Sequence, residues 1–197
     1  MGSSTTDRSM IREYNAGIRA LGGEGNERKF ELSFSSEEPY TRYWGVEILD
    51  HGEGCMDLTR LQEIGCVLFN HNRDAVIAKV NRVWTENNRG KAEIEFDTDN
   101  DAEKIYQKVK SGTLKGVSVG YVVDAWEEVL SNKESADGRF KGPCRIARKW
   151  TPYEISIVSV PADATVGVGR QMEKPSGLLG LYEKQLQINK NRAGGKR

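Results

Sequence analysis

Ser118 lies in the run Leu114-Lys115-Gly116-Val117-Ser118-Val119-Gly120-Tyr121, with glycine two residues before it and two after. In a strand successive side chains point to opposite faces, so Val117, Val119, Tyr121 and Val123 share one face and Gly116, Ser118, Gly120 and Val122 the other. The hydroxyl is expected to stand alone on a bare face. Glycine weakens a strand and commonly marks a place where something approaches the backbone closely, which is the clearance a nucleophile needs. A serine hydroxyl attacks poorly until a base takes its proton, and the base works best when a third group fixes its tautomer.

The chain has two histidines, which makes the search for a base short. His71 stands just past the apolar run Cys66-Val67-Leu68-Phe69, where a buried strand would anchor its backbone while the ring faces a turn. His51, in Asp50-His51-Gly52-Glu53-Gly54, reads as part of a flexible acidic loop and is the poorer base. The third group is usually a carboxylate. Glu154 interrupts a run that is otherwise apolar or small, where an unpaired charge would be costly; the competing account is a strand edge with Glu154 facing water.

Spacing alone does not bring His71, Ser118 and Glu154 together. Gly116-Val117-Ser118-Val119-Gly120 has the spelling of the nucleophile elbow of ester hydrolases, but its strand-like context lacks the helix that should follow. Ser156, Ser159 and Cys144 are weaker attackers. Ser156 shares the face of Glu154, where a structural hydrogen bond is the simpler role.

A chain of 197 residues with 37% hydrophobic content suits one domain with a true core. Its 29 basic and 29 acidic residues cancel, so no general attraction to nucleic acid is expected. No apolar run is long enough to span a bilayer, and the N-terminus lacks the apolar stretch of a signal peptide. A cytoplasm-like compartment and no membrane partner follow. Met1-Gly2-Ser3-Ser4-Thr5-Thr6 formally fits a myristoylation pattern, but no basic cluster follows it. Cys55, Cys66 and Cys144 do not suggest a disulfide framework. A metal site from His51, Cys55, Cys66 and His71 has spacings unlike those of structural zinc sites, so no metal or other cofactor is expected.

Residues 1–28 read as a flexible arm with a short helical stretch around Ser9 to Leu21, broken by Gly22, Gly23 and Gly25. The compact domain spans 29–170. Strands are expected around Phe30 to Phe34, Tyr43 to Leu49, Cys66 to Phe69, Ala75 to Thr85, Lys91 to Phe96 and Leu114 to Val123, with Arg145 to Trp150 and Tyr153 to Val160 split by Pro152. Asn87 to Gly90 makes a hairpin turn. Asp57 caps a short helix stopped by Gly65, and Asn100 or Asp101 caps a second one closed by Gly112. The tail, 171–197, carries six Lys or Arg against two Glu and reads as a basic, disordered end. With mostly adjacent strands and no βαβ alternation, a mainly β barrel or sandwich with peripheral helices is the simplest architecture.

Leu68-Phe69-Asn70-His71, then Gly116 to Tyr121, then Trp150 with Glu154-Ile155-Ser156-Ile157-Val158-Ser159-Val160-Pro161-Ala162 together resemble the prohead proteases of tailed phages. These capsid-maturation serine proteases are similar in fold to the herpesvirus assemblins, and the likeness covers roughly residues 29 to 168. It implies an α+β fold, a β-barrel surrounded by short helices. It also implies Ser118 as nucleophile, His71 as general base and Glu154 as orienting acid, the last varying across the wider superfamily, where the herpesvirus enzymes use a second histidine.

The implied task is to cleave scaffold protein, or the scaffold-like N-terminal segment of the major capsid protein, and the protease itself. This happens inside the assembling procapsid, in the host bacterial cytoplasm, and makes the major capsid protein the partner. The herpesvirus relatives suggest a homodimer. Backbone N–H groups near Ser118 or in Val166 to Arg170, with the Arg170 side chain, are candidate oxyanion donors. The rival reading is a catalytically inactive capsid-assembly or scaffold-binding β module, and the presence of all three polar positions favours the enzyme.

Overall fold

The computed structural model describes residues 9–15 and 17–159, all within the unit Met1–Ala164. In chain order the strands are β1 (Met10–Asn15), β2 (Arg19–Ala20), β3 (Lys29–Ser36), β4 (Tyr40–Arg42) and β5 (Gly45–Leu49). Helix α1 (Thr59–Ile64) precedes β6 (Cys66–Phe69), β7 (Asn72–Glu86) and β8 (Arg89–Phe96). Helix α2 (Asn100–Lys110) precedes β9 (Gly116–Val129) and β10 (Cys144–Val158). The expected mainly β architecture with peripheral helices is what forms, and its sheet curls into a half-barrel.

The sheet runs β1-β9-β10-β6-β7-β8-β3-β2, with β5 pairing β10 and β4 pairing β5. Its spine is β10, antiparallel to β9 along its length and parallel to β5 at one end and β6 at the other. Pro152 does not split this strand in two, as its sequence suggests. The ladder with β9 shifts register between Pro152 and Glu154, and a bulge is where proline, which has no N–H to donate, is tolerated inside a sheet.

Alternation sets the core. Val117, Val119 and Tyr121 of β9 and Ile155 and Ile157 of β10 are all 0% exposed and pack with Leu32, Phe34, Ile77, Ile94 and Trp150. Each such side chain contributes about 1.5–3 kcal/mol through burial. Helix α2 covers part of this core with Ala102, Ile105, Tyr106 and Val109. Its cap is Asp99, not Asn100 or Asp101: the Asp99 carboxylate accepts from the N–H groups of Asp101 and Ala102. Gly112, at φ 75°, follows in the left-handed conformation that suits glycine.

Residues 10–15 depart most from the sequence reading. In place of a helical stretch on a flexible arm they form the edge strand of the sheet, paired with β9 from Met10↔Tyr121 to Asn15↔Gly116. Arg19 and Ala20 pair in turn with β3. Tertiary pairing, which local propensity does not report, decides both. The tail expected at 171–197 lies outside the described residues.

Candidate active site

Asn70 and His71 form the turn between β6 and β7, with Phe69 paired to Asn72 across it and φ values of 50° and 59°. A two-residue hairpin needs this left-handed backbone to match the twist of its strands. Asparagine visits it readily, whereas for a histidine it costs on the order of 1 kcal/mol or more. The turn is accordingly tied down. Asn70 N–H donates to the Ile157 carbonyl at 2.9 Å, Asn70 Oδ1 accepts from Ser159 N–H at 2.9 Å, and His71 N–H donates to Ser156 Oγ at 3.3 Å.

Glu154 and Ser156, two residues apart on β10, share a face. The Ser156 hydroxyl donates to Glu154 Oε1 at 2.8 Å, and the same oxygen stands 2.5 Å from His71 Nδ1. An ionised carboxylate only accepts, so Nδ1 carries the hydrogen and the neutral ring presents its lone pair at Nε2. With side-chain exposures of 21% for His71 and 11% for Glu154, the pair is sheltered enough for this bond to fix the ring.

Ser118 faces Ser156 directly across the β9–β10 pair and Glu13 directly across the β1–β9 pair. Directly opposed residues point to the same side of a sheet, so Glu13, Ser118, Ser156 and Glu154 share the face on which the His71 ring lies. Ser118 and His71 therefore come to the same face of the sheet. They do not hydrogen-bond: the Ser118 hydroxyl donates to the Arg12 carbonyl at 3.2 Å. His71 Nε2 has no hydrogen bond among the described residues, and Glu13 Oε1 is 3.9 Å from it.

The face expected to be bare is covered. Ser118 is 0% exposed, and β1 pairs along the edge of β9 beside it. The glycine at 120 answers to a neighbour, since a Cβ there would come within 2.9 Å of the Tyr153 ring.

His51 is not in a flexible loop. It is 5% exposed, with Nε2 at 2.7 Å from Ser35 Oγ and Nδ1 at 2.9 Å from the Leu49 carbonyl. Burial pulls its pKa down to about 4. Cys144 packs in a separate cluster with Ile48, Val129 and Ile146, and burial pushes its thiol up, away from the reactive thiolate. Ser159 is bound to Asn70. The Val166 to Arg170 stretch lies outside the described residues.

Two charged residues escaped the sequence reading. Arg12 lies in the segment that reads as an arm, and no alternation in Met10 to Asn15 marks it as a strand. Its side chain is 1% exposed, and its Nη1 lies 3.8 Å from Oε1 of Glu47, which is 0% exposed. Glu47 also receives Arg42, at 3.2 and 3.3 Å, and the Tyr121 hydroxyl. Burial and the Glu47 charge push the Tyr121 hydroxyl's pKa well up, so it stays a donor. A glutamate inside Val46-Glu47-Ile48-Leu49 is the signal that could have flagged this site.

The family model described as caudovirus prohead serine protease matches residues 50–176. A "Major capsid protein" of Halomonas phage phiHAP-1 is 32% identical over 164 residues, covering 81% of this chain and 26% of that protein. The chain thus spans about a quarter of that relative's length. Among solved structures, the bacteriophage T4 capsid assembly protease gp21 superposes with a TM-score of 0.51 at 10% identity, covering 79% of this chain and 99% of that one. At that identity the likeness is one of fold.

Proposed function

The chain belongs to the caudovirus prohead serine protease family, and we propose that it is a serine endopeptidase of capsid maturation in which Ser118 is the nucleophile, His71 the general base and Glu154 the group that orients the base. The observation that supports this most is the 2.5 Å contact between His71 Nδ1 and Glu154 on the face of the sheet that carries Ser118. It leaves Nε2 as the basic nitrogen, which is the tautomer a serine nucleophile requires.

In the reaction Ser118 Oγ attacks a peptide carbonyl carbon while His71 Nε2 takes its proton. Collapse of the tetrahedral intermediate returns that proton to the leaving amine. Water then attacks the acyl-enzyme with the same base, releasing the carboxylate and restoring the hydroxyl. Glu154 holds the ring and stabilises its charged form throughout, and Ser156 holds Glu154 and the His71 backbone. The oxyanion needs N–H donors, each contributing on the order of 3 kcal/mol; those of the backbone beside Ser118 lie in the ladders with β1 and β10.

The substrates in this reading are the scaffold protein or the scaffold-like N-terminal segment of the major capsid protein, cut within the assembling procapsid. The likeness to a phage protein named as a major capsid protein supports that partnership. Co-expression with the cognate capsid protein, followed by intact-mass measurement, tests it. Wild type should shorten the partner and Ser118→Ala, still folded, should leave it whole. Undiminished processing by Ser118→Ala would remove Ser118 from the reaction. No processing by either would favour an inactive assembly module.

A further inference from the structure

The edge of β9 carries an occupant supplied by the chain itself. Residues Met10–Asn15 lie antiparallel along it in the register Arg12↔Val119 and Glu13↔Ser118. An extended peptide adds to a sheet edge in this way, its backbone giving affinity and its alternate side chains filling pockets. The carbonyl contacted by the Ser118 hydroxyl, at 3.2 Å, is that of Arg12, and Glu13 Oε1 stands 3.9 Å from His71 Nε2. The peptide bond presented to the proposed nucleophile and base is therefore Arg12–Glu13.

Alternation sends the Glu13 side chain toward His71 and the Arg12 side chain to the opposite face. There Arg12 is 1% exposed and meets groups suited to a guanidinium. Glu47 Oε1 is 3.8 Å from Nη1, the Tyr40 ring centroid is 5.0 Å from Cζ, and the Glu38 carbonyl accepts from Nη2. A carboxylate, an aromatic face and a carbonyl in one buried place select a planar, delocalised cation over an ammonium. Glu47 is held from elsewhere in the fold by Arg42 and Tyr121, so the carboxylate keeps its position whichever strand lies on β9.

We propose that this chamber is the specificity pocket of the protease, that it accepts peptides with arginine immediately before the scissile bond, with Glu47 as the specificity-determining residue, and that Met10–Asn15 is its substrate in cis, cut between Arg12 and Glu13. The proposal rests on the Ser118 reading above. Ser118 Oγ bonds to the Arg12 carbonyl carbon, and its proton passes through His71 Nε2 to the Glu13 nitrogen as the carbon–nitrogen bond breaks. Water adds to the resulting ester and its proton returns through His71 to Ser118 Oγ, so residues 1–12 leave with a new carboxylate at Arg12. Their departure frees the part of the β9 edge that Met10–Arg12 covered, Val119 to Tyr121.

The full chain is expressed as wild type, Ser118→Ala, Arg12→Lys and Arg12→Glu, each with the capsid partner, and every product is weighed intact. Wild type should begin at Glu13 and Ser118→Ala should keep residues 1–12. Arg12→Lys should be cut more slowly than wild type, and Arg12→Glu at least about tenfold more slowly. Fluorogenic peptides varied at the residue before the cut should show at least about a tenfold preference in kcat/KM for arginine over alanine, reduced in Glu47→Gln. Because Glu47 is buried, that variant is first checked for a native circular dichroism spectrum; if it does not fold, the wild-type peptide series decides. Cleavage of the capsid partner by a wild type whose Arg12–Glu13 bond stays whole, with no preference for arginine, overturns the pocket and leaves the proposed function standing. Cleavage of neither bond overturns both.

Discussion

The molecule contains two serine–histidine neighbourhoods, and the tighter one is the less suited to chemistry. His51 Nε2 lies 2.7 Å from Ser35 Oγ, a closer approach to a serine hydroxyl than His71 Nε2 makes to Ser118. Yet the other nitrogen of His51 faces the Leu49 carbonyl, and burial lowers its pKa to about 4, so the ring resists the proton a general base must accept. His71 has a carboxylate at Nδ1 and lies on the face of the sheet that carries Ser118. If Ser118 and His71 carry the reaction as proposed, a serine–histidine hydrogen bond is a poor marker of a nucleophile, and the group behind the histidine is a better one.

Substitutions can break this contrast. His71→Ala should lower the rate of partner cleavage by about 10³-fold or more while leaving the fold intact, as loss of a general base does. Glu154→Gln keeps the shape but removes the charge that fixes the tautomer, and should cost on the order of 10²–10³-fold in kcat, read from time courses of partner cleavage. An equal rate in either variant would place the chemistry elsewhere.

The buried pair should show itself in stability. The folded-state pKa of His51 is about 4 against an ordinary 6.5. Between those values the unfolded chain binds a proton that the folded chain refuses, so this contribution is complete above pH 6.5 and about 3 kcal/mol is lost as pH falls to 4. Asp50 adds to the loss below pH 3.8: burial raises its pKa, but Arg139, the Gly52 N–H and Arg148 outweigh this and hold it at about 2. Urea unfolding at pH 7, 5.5 and 4.5 reads the slope, and His51→Gln should flatten it. The smallest effect should come from Ser35→Ala, about 1–2 kcal/mol of stability with no change in partner cleavage. A rate change in that variant would reverse the roles assigned to the two histidines.

Local chemistry made much of this legible. The helix at 100–110 announced itself through Ala102, Ile105, Tyr106 and Val109, and the Gly112 stop through its backbone requirement. The face of β9 that packs in the core followed from alternation alone. The unbroken course of β10 did not, because proline reads as a strand breaker and the register shift that accommodates it comes from β9. Nor did the sheltered pairing of Glu154, whose alternative was a carboxylate facing water. Choosing between them needed the position of a turn 83 residues away in sequence.

By itself the sequence determined which residue types could carry such chemistry, where most strands and helices around them lie, and that Ser118 and the core valines occupy opposite faces of one strand. Those are properties of residue type and of a period of two. Only the tertiary structure decided that the His71 turn folds onto β10, that Arg12 is sealed beside Glu47, and that an apparent arm pairs with the strand of Ser118. Each of these depends on pairing between segments far apart along the chain, and hydrogen bonds between backbones carry no signature in the side chains that flank them.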